Sequence, residues 1–378
     1  MTSADRNILL DLFHSAVSSV KGDISVSTWL ARQAVKRPTH IVAVGKAAAS
    51  MFEGLPDDWH NELPTYLVTK TDHLGDKELG SNVVALEASH PIPDQSSLKA
   101  GKDLRDFVAS CPTGSHLLML VSGGASSLVE HLKPGVSCTD LVALTETAMA
   151  EGMSIDKIND RRQAISAIKG GGLLATFKGQ NVDVLAISDV AGDSISVIGS
   201  GIGAPPARIG FAYNCNVVAS NAVARDAVVQ GAESLGIRTI TNKENLYDDV
   251  PVIAARVAHE IMEGPAGLYV YGGEPTVVLP EKPGRGGRNQ ALALELARLF
   301  QDRNDIVGLV AGTDGTDGPT HAAGAFLDGE AYKKLSGAEL AQQRADAGSY
   351  LSRTGDVIMT GPTGTNVMDL AIILKRTS

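Results

Sequence analysis

Aromatic residues make up only 4% of this 378-residue chain, so its cores must be filled by Val, Leu, Ile and Ala. Cysteine is scarce as well. Cys111, Cys138 and Cys215 are odd in number and far apart, which yields neither a disulfide framework nor a zinc spacing and points to a reducing, cytoplasmic setting. The nine histidines form no HxxxH or HxH pair, so no histidine metal site is expected. Basic residues are outnumbered, with 33 Lys and Arg against 43 Asp and Glu. The resulting net charge of −10, with no long basic run, argues against a nucleic-acid partner. No uninterrupted apolar run reaches membrane-spanning length, so no membrane partner is expected. The start, MTSADRNILLDLF, carries Asp5 and Arg6 and lacks the apolar core of a secretory signal.

Two nucleotide signatures are also missing. A Walker A loop ending at Gly45-Lys46 would need glycine at position 40 and Ser or Thr at position 47, where the chain has His40 and Ala47. No strand is followed by a G-x-G-x-x-G corner with an acidic residue about 20 positions on, the fingerprint a dinucleotide oxidoreductase requires. The nearest candidate, Gly199–Gly203, lies in a Pro-rich segment.

What is present is a repeated strand–loop–helix rhythm in a chain that is 43% hydrophobic. The rhythm predicts α/β layering with largely parallel sheets, and the length predicts two α/β domains. Polar residues 241–249 (TNKENLYDD) read as an exposed linker, which places the domains at 1–240 and 241–378. Strands are expected at 40–44, 66–69, 83–86, 117–121, 182–187, 217–220, 268–271, 276–279, 306–311 and 356–359, before an apolar terminal run at 370–374. Polar glycine loops end strands in both halves, so an active site is expected in the cleft between the domains.

The richest loop is Glu281–Ala297, EKPGRGGRNQALALELA. Arg285 and Arg288 stand among Gly284, Gly286 and Gly287, directly before a run of good helix formers. Glycines allow close backbone approach, a helix start offers unpaired N–H groups, and guanidinium forks suit phosphate or carboxylate. Lys46 stands at a second such corner, after the apolar run HIVAV. Ser122-Gly-Gly-Ala-Ser-Ser127 and Gly361-Pro-Thr-Gly-Thr-Asn-Val367 add loops rich in amides and hydroxyls that suit anionic oxygens. Two loops carry paired carboxylates, Asp189 with Asp193 and Asp314 with Asp317. The first pair can hold Mg²⁺ or accept a proton, and the second can grip Mg²⁺ or sugar hydroxyls; calcium is a poor reading of the second loop because the remaining EF-hand ligands are missing.

Ten blocks, GKAAASM, HPIPD, VSGGASSL, AIKGGG, SDVAGD, YGGEPTVVLP, GRGGRNQ, GTDGTDGPT, AAGAFLD and TGPTGTNVMDL, occur in order from Val44 to the C-terminus. Together they resemble the bacterial-type glycerate 2-kinases, the family that contains the MOFRL domain and is often labelled hydroxypyruvate reductase. The resemblance implies ATP-dependent phosphorylation of D-glycerate to 2-phospho-D-glycerate with Mg²⁺, in a Rossmann-like N-terminal domain and a C-terminal MOFRL-type α/β domain. It also implies catalytic roles for Lys46 and Arg288. Residues expected to hold ATP or the acid are Gly45, Ser122, Gly123, Gly124, Ser126, Lys169, Glu274, Arg285, Asn289, Thr363 and Asn366. The chain departs from the family pattern at Gly199–Gly203, Gly172, His321 and Met368. Alternatives are NAD(P)H-dependent hydroxypyruvate reduction, a kinase for a related 2-hydroxy acid, and non-catalytic binding of a sugar acid.

Overall fold

A computed structural model describes the chain apart from residue 34, residues 76–78, residues 151–154 and residue 378. Its contacts divide the chain into two compact units. One comprises Val20–Ser220 with Gly364–Asn366, and the other comprises Met1–Ser19, Asn221–Thr363 and Val367–Ser378. The chain opens with α1 (Ser3–Ser19), which belongs to the second of these, and α2 (Gly22–Arg32), which belongs to the first.

The unit holding Val20–Ser220 is built on six strands: β1 (His40–Val44), β2 (Thr65–Lys70), β3 (Val83–Ala88), β4 (His116–Val121), β5 (Asn181–Ile187) and β6 (Ala212–Ala219). They pair in the order β3-β2-β1-β4-β5-β6, and every pairing is parallel. This is the doubly wound order, in which the direction of progression reverses between β1 and β4. The central strands read as unbroken apolar runs (HIVAV, HLLMLV) because a parallel sheet is covered on both faces. The connections carry α3 (Ala48–Glu53), α4 (Asp57–Glu62), α5 (Gln95–Ser110), α6 (Ala125–Leu128), α7 (Cys138–Ala150) and α8 (Ile155–Ile165). Asp94 fixes the start of α5 by accepting from the Ser96 and Ser97 amides, an N-cap.

The other unit holds α9 (Asn221–Ser234), β7 (Thr239–Glu244), α10 (Val250–Glu263), β8 (Gly267–Gly273), α11 (Arg288–Leu299), β9 (Ile306–Gly312), β10 (Gly324–Asp328), α12 (Ala338–Gln343), α13 (Ala347–Thr354), β11 (Val357–Ile358) and β12 (Asp369–Lys375). Its sheet runs β11-β10-β9-β12-β8-β7, and α1 packs on α9 and against β9 and β12. Only β7 and β8 pair in parallel. The pairs β10–β11, β10–β9, β12–β8 and β12–β9 are antiparallel, so the largely parallel expectation fails here. Two strands run against the others: β12, which inserts between β8 and β9, and β10, which lies between β9 and β11.

Two further readings change. The supposed linker at 241–249 begins inside β7, whose polar residues are strand because Thr241–Glu244 lie in register with Tyr269–Gly272. Residues 276–279 form no strand; Thr276 makes only an isolated bridge to Asp249, and Val278 and Leu279 are exposed.

Candidate functional site

In the first unit the strand ends converge at the point where the order reverses. Gly45 and Lys46 follow β1, the Ser122–Ser127 loop follows β4, and Ser188–Asp193 follows β5. The Lys46 amide donates to the Gly123 carbonyl at 2.9 Å, and the Ala47 amide donates to Ser122 Oγ at 3.0 Å. Gly45 has a φ of +133°, and a side chain there would overlap the Ser122 backbone. Only glycine allows this approach of the two loops. Gly123 lies so close to Asp189 and Asn366 that a side chain would collide with both, and Asn366 Nδ2 donates to Asp189 Oδ2 at 3.1 Å. Gly124 faces Lys46 and His90. The structure therefore brings together Gly45, Lys46, Ser122, Gly123, Gly124, Asp189 and Asn366, and adds His90 from the HPIPD block. Asp193, on the same loop as Asp189, takes a left-handed φ of 53° and is half-buried.

Two expected residues are engaged in other networks. Ser126 Oγ accepts from the Arg162 guanidinium at 2.8 Å and lies 2.7 Å from Ser200 Oγ, which in turn donates to Asn159 at 2.7 Å. Lys169 pairs with Glu130, and both side chains are fully buried. Glu130 also accepts from the Ser166 hydroxyl and the His131 amide. Burial depresses the Lys169 pKa, and the Glu130 carboxylate opposes that shift. Burial likewise lowers the pKa of Arg162, again against the pull of the Glu130 carboxylate.

In the second unit the arginine loop leads into α11. Arg288 Nε donates to Asp369 Oδ2 at 2.6 Å and Nη2 to Oδ1 at 3.3 Å, while Nη1 donates to Glu274. Asp369 also accepts from Asn289 Nδ2 at 3.0 Å and is only 1% exposed, whereas the Arg288 side chain remains 35% exposed. Burial disfavours the Arg288 charge, but the Asp369 and Glu274 carboxylates outweigh it and raise the pKa above the ordinary arginine value. Asp369 is pushed up by burial, with Arg288 pulling the other way. The carboxylate is thus a fixed seat for a guanidinium that still reaches solvent.

Asp317 closes the start of α11. Its two oxygens accept from the Asn289 and Gln290 amides at 3.0 and 2.8 Å, so both are engaged by the helix end. Burial pushes its carboxyl up to about 7 against the pull of those amides. Asp314 instead caps its own turn, accepting from the Thr316 amide at 3.0 Å. Thr363 donates to the Thr313 carbonyl at 2.6 Å. Arg285 is exposed, with its amide donating to Asp346 at 2.8 Å. Arg288, Asn289, Glu274 and Asp317 are therefore gathered at one helix start, while Arg285 lies outside that network.

Sequence reasoning missed Asp369, His90, Arg162 and Asn159 as site members. Asp369 carried a signal: it is the one charge at the entrance of an apolar strand, where a carboxylate needs a partner. Asn159 and Arg162, spaced i, i+3 on α8, share a helix face. Among the described residues, no group of three or more His, Cys, Asp or Glu is arranged to hold a metal ion by itself. No helix among them is long and apolar enough to cross a membrane.

The family model described as a domain of unknown function (DUF4147) matches residues 8–230, and the MOFRL family model matches residues 267–369. A glycerate 2-kinase of Pyrococcus horikoshii is 32% identical, with 90% of this chain and 88% of that protein covered. A D-glycerate 2-kinase of Thermotoga maritima is 31% identical, with 97% of each covered. The crystal structure of a glycerate kinase from Thermotoga maritima matches with a TM-score of 0.85 at 27% identity, covering 99% of this chain and 100% of that one. The chain belongs to the family of glycerate kinases in which a DUF4147 domain is followed by a MOFRL domain.

Proposed function

We propose that this protein transfers the γ-phosphoryl group of ATP to the 2-hydroxyl of D-glycerate, giving 2-phospho-D-glycerate and ADP. The observation that carries this reading is the match to glycerate 2-kinases over nearly the whole chain, which takes in both residue clusters. In the reaction the glycerate 2-oxygen bonds to the γ-phosphorus as the bond to the β–γ bridging oxygen breaks, with loss of the hydroxyl proton. Such transfer depends on positioning and charge neutralisation more than on covalent chemistry. Lys46 and Arg288 supply that positive charge. The backbone of Gly45 and Ser122–Gly124, with Asn366, holds anionic oxygens. Glu274, Asp369 and Asn289 orient the arginine and its helix start. Lys169, committed to Glu130, fixes its loop rather than reaching phosphate, while Arg285 and Thr363 contribute at the margin.

Magnesium in kinase sites is bound by one or two carboxylates together with substrate phosphates, so a three-carboxylate cage is not required. Asp189 fits that pattern: it is a half-buried strand-end carboxylate beside Gly123, with one oxygen on Asn366. Asp189, with Asp193 on its loop, would hold the ion, and Asp314 is the alternative. Asp317 fits less well because its oxygens already serve α11. The ion would neutralise phosphate charge. A cytoplasmic setting, where ATP is supplied, completes the reading.

The reductase alternative needs a dinucleotide corner after β1, and the chain offers Gly45-Lys46-Ala47-Ala48-Ala49 there instead. The test is ADP release in the presence of Mg·ATP across a panel of 2-hydroxy and sugar acids. Release that requires D-glycerate supports the proposal. Release that is strongest with another acid reassigns the substrate, and none with any acid overturns the kinase reading.

A further inference from the structure

Both faces of a parallel sheet are normally covered, and their side chains are then apolar. In the sheet β3-β2-β1-β4-β5-β6 one face departs from this at the starts of three strands. Side chains alternate along a strand, and paired residues of parallel neighbours share a face. His116 on β4, Asn181 and Asp183 on β5, and Asn214 and Asn216 on β6 therefore stand together. His116 is 4% exposed, and its Nε2 lies 2.6 Å from Asp183 Oδ2. Asn214 Nδ2 donates to the other Asp183 oxygen at 2.9 Å. The His116 bond holds the Asp183 carboxyl below its ordinary pKa, so it remains an acceptor. Burying a polar group costs free energy unless a hydrogen bond replaces the lost water. One group here is left over: His116 Nδ1 is buried and meets no hydrogen-bond partner among the described residues.

The same five residues line a cavity of about 600 Å³, a size that suits a small organic ligand. The half-buried Trp29 of α2, which packs on β6, forms another part of its lining, as does Lys36. The cavity is separate from the loops described above. His116 opens β4 and Ser122 follows its far end, while Asp183 lies near the start of β5 and Asp189 follows its far end. At about 3.3 Å per residue, six residues of strand separate His116 from Ser122 by roughly 20 Å.

We propose that this cavity is a binding site for a neutral sugar. Each asparagine carboxamide both donates and accepts, as do the adjacent hydroxyls of a sugar ring. The Trp29 indole offers an apolar face to the C–H groups of that ring. A ligand hydroxyl supplies the partner that His116 Nδ1 lacks. Lys36 and Asp183 carry opposite charges, so the lining has no net charge to draw an ion, and neither ATP nor glycerate is the expected occupant.

The test measures binding without ATP or glycerate, so it stands independently of the phosphoryl-transfer reading. The chain has two tryptophans, and Trp59→Phe leaves Trp29 as the only indole. Titrating that variant with glucose, galactose, mannose, ribose and sucrose should change its emission saturably for at least one of them, with a Kd below about 1 mM. Calorimetry on the unaltered chain should give the same Kd, and it keeps the test decisive if Trp59→Phe misfolds. Asn181→Leu and Asn216→Leu each remove a carboxamide at similar volume. Each should weaken binding about tenfold, the effect of one lost hydrogen bond, with circular dichroism and ADP release unchanged. No saturable binding of any of these sugars below about 1 mM, tighter binding of adenosine or AMP than of every sugar, or an unchanged Kd in both leucine variants overturns the proposal.

Discussion

Replacing Asp369 with asparagine removes a charge and leaves the shape nearly intact, which makes it a sharp probe of the arginine seat. Asp369 gives Arg288 its short bond at 2.6 Å and a longer one at 3.3 Å, from a position 1% exposed. A hydrogen bond between charged groups contributes roughly 1.5–3 kcal/mol. Breaking a fully buried pair costs about 3–5 kcal/mol. Arg288 keeps Glu274 and is 35% exposed, so the lower range applies. If that energy holds the guanidinium where phosphoryl charge develops, its loss appears in kcat as a fall of roughly 10–100-fold, at about 1.4 kcal/mol per factor of ten, with KM changed little. The assay is steady-state ADP release by Asp369→Asn, Arg288→Ala and the double variant. Because Asp369 acts through Arg288, the double variant should be no worse than Arg288→Ala alone, a coupling of the size of the single Asp369 effect. Arg288→Lys should not rescue, since an ammonium cannot use both carboxylate oxygens in the same plane. Normal kcat in Asp369→Asn, or additive losses in the double variant, would refute the reasoning.

Lys46→Ala should lower kcat about 10²–10³-fold at intact fold, by analogy with other preorganised charged groups, while Arg285→Ala on the exposed part of its loop does less harm. Near-normal turnover of Lys46→Ala would remove it from the chemistry. Asp317 holds its proton up to about 7 in the folded chain against an ordinary 3.8, so its contribution to stability is complete below the lower value and is lost as pH rises through the upper one. Thermal stability should therefore decline between those limits by at most about 4 kcal/mol, at 1.36 kcal/mol per unit, and Asp317→Asn should flatten that slope; an unchanged slope contradicts the burial argument. Lys169→Ala should destabilise by about 3–5 kcal/mol by stranding Glu130, measured by urea unfolding, and a stable variant with lost ATP binding would instead place Lys169 at the phosphates.

Much of this was legible in the sequence because strand-end chemistry is local. Gly45-Lys46, the Ser122 loop and Asp189 each follow an apolar run that could only be a buried strand, and a parallel sheet aligns such ends by construction. The arginine loop was legible for the same reason, since glycines before a helix-forming run mark a helix start. What was hidden depends on pairing across long sequence distance. Asp369 becomes the seat of Arg288 because β12 inserts between β8 and β9, an arrangement that no window of sequence encodes. The polar 241–249 segment is half strand because β8 lies beside it, so tertiary pairing overrides composition. The family resemblance put Lys169 among the residues expected to hold ATP or the acid, and only its burial against Glu130, far off in sequence, shows where its charge is spent.

The central claim is phosphoryl transfer to glycerate, and the most direct measurement is ³¹P and ¹H NMR of the product formed from Mg·ATP and D-glycerate. The account predicts ADP in equal amount with a phosphate ester coupled to the proton on C2, abolished when Lys46 or Arg288 is replaced by alanine. An ester coupled to the C3 protons would contradict the assigned hydroxyl, and no ester at all, with NADH consumed on hydroxypyruvate, would contradict the account as a whole.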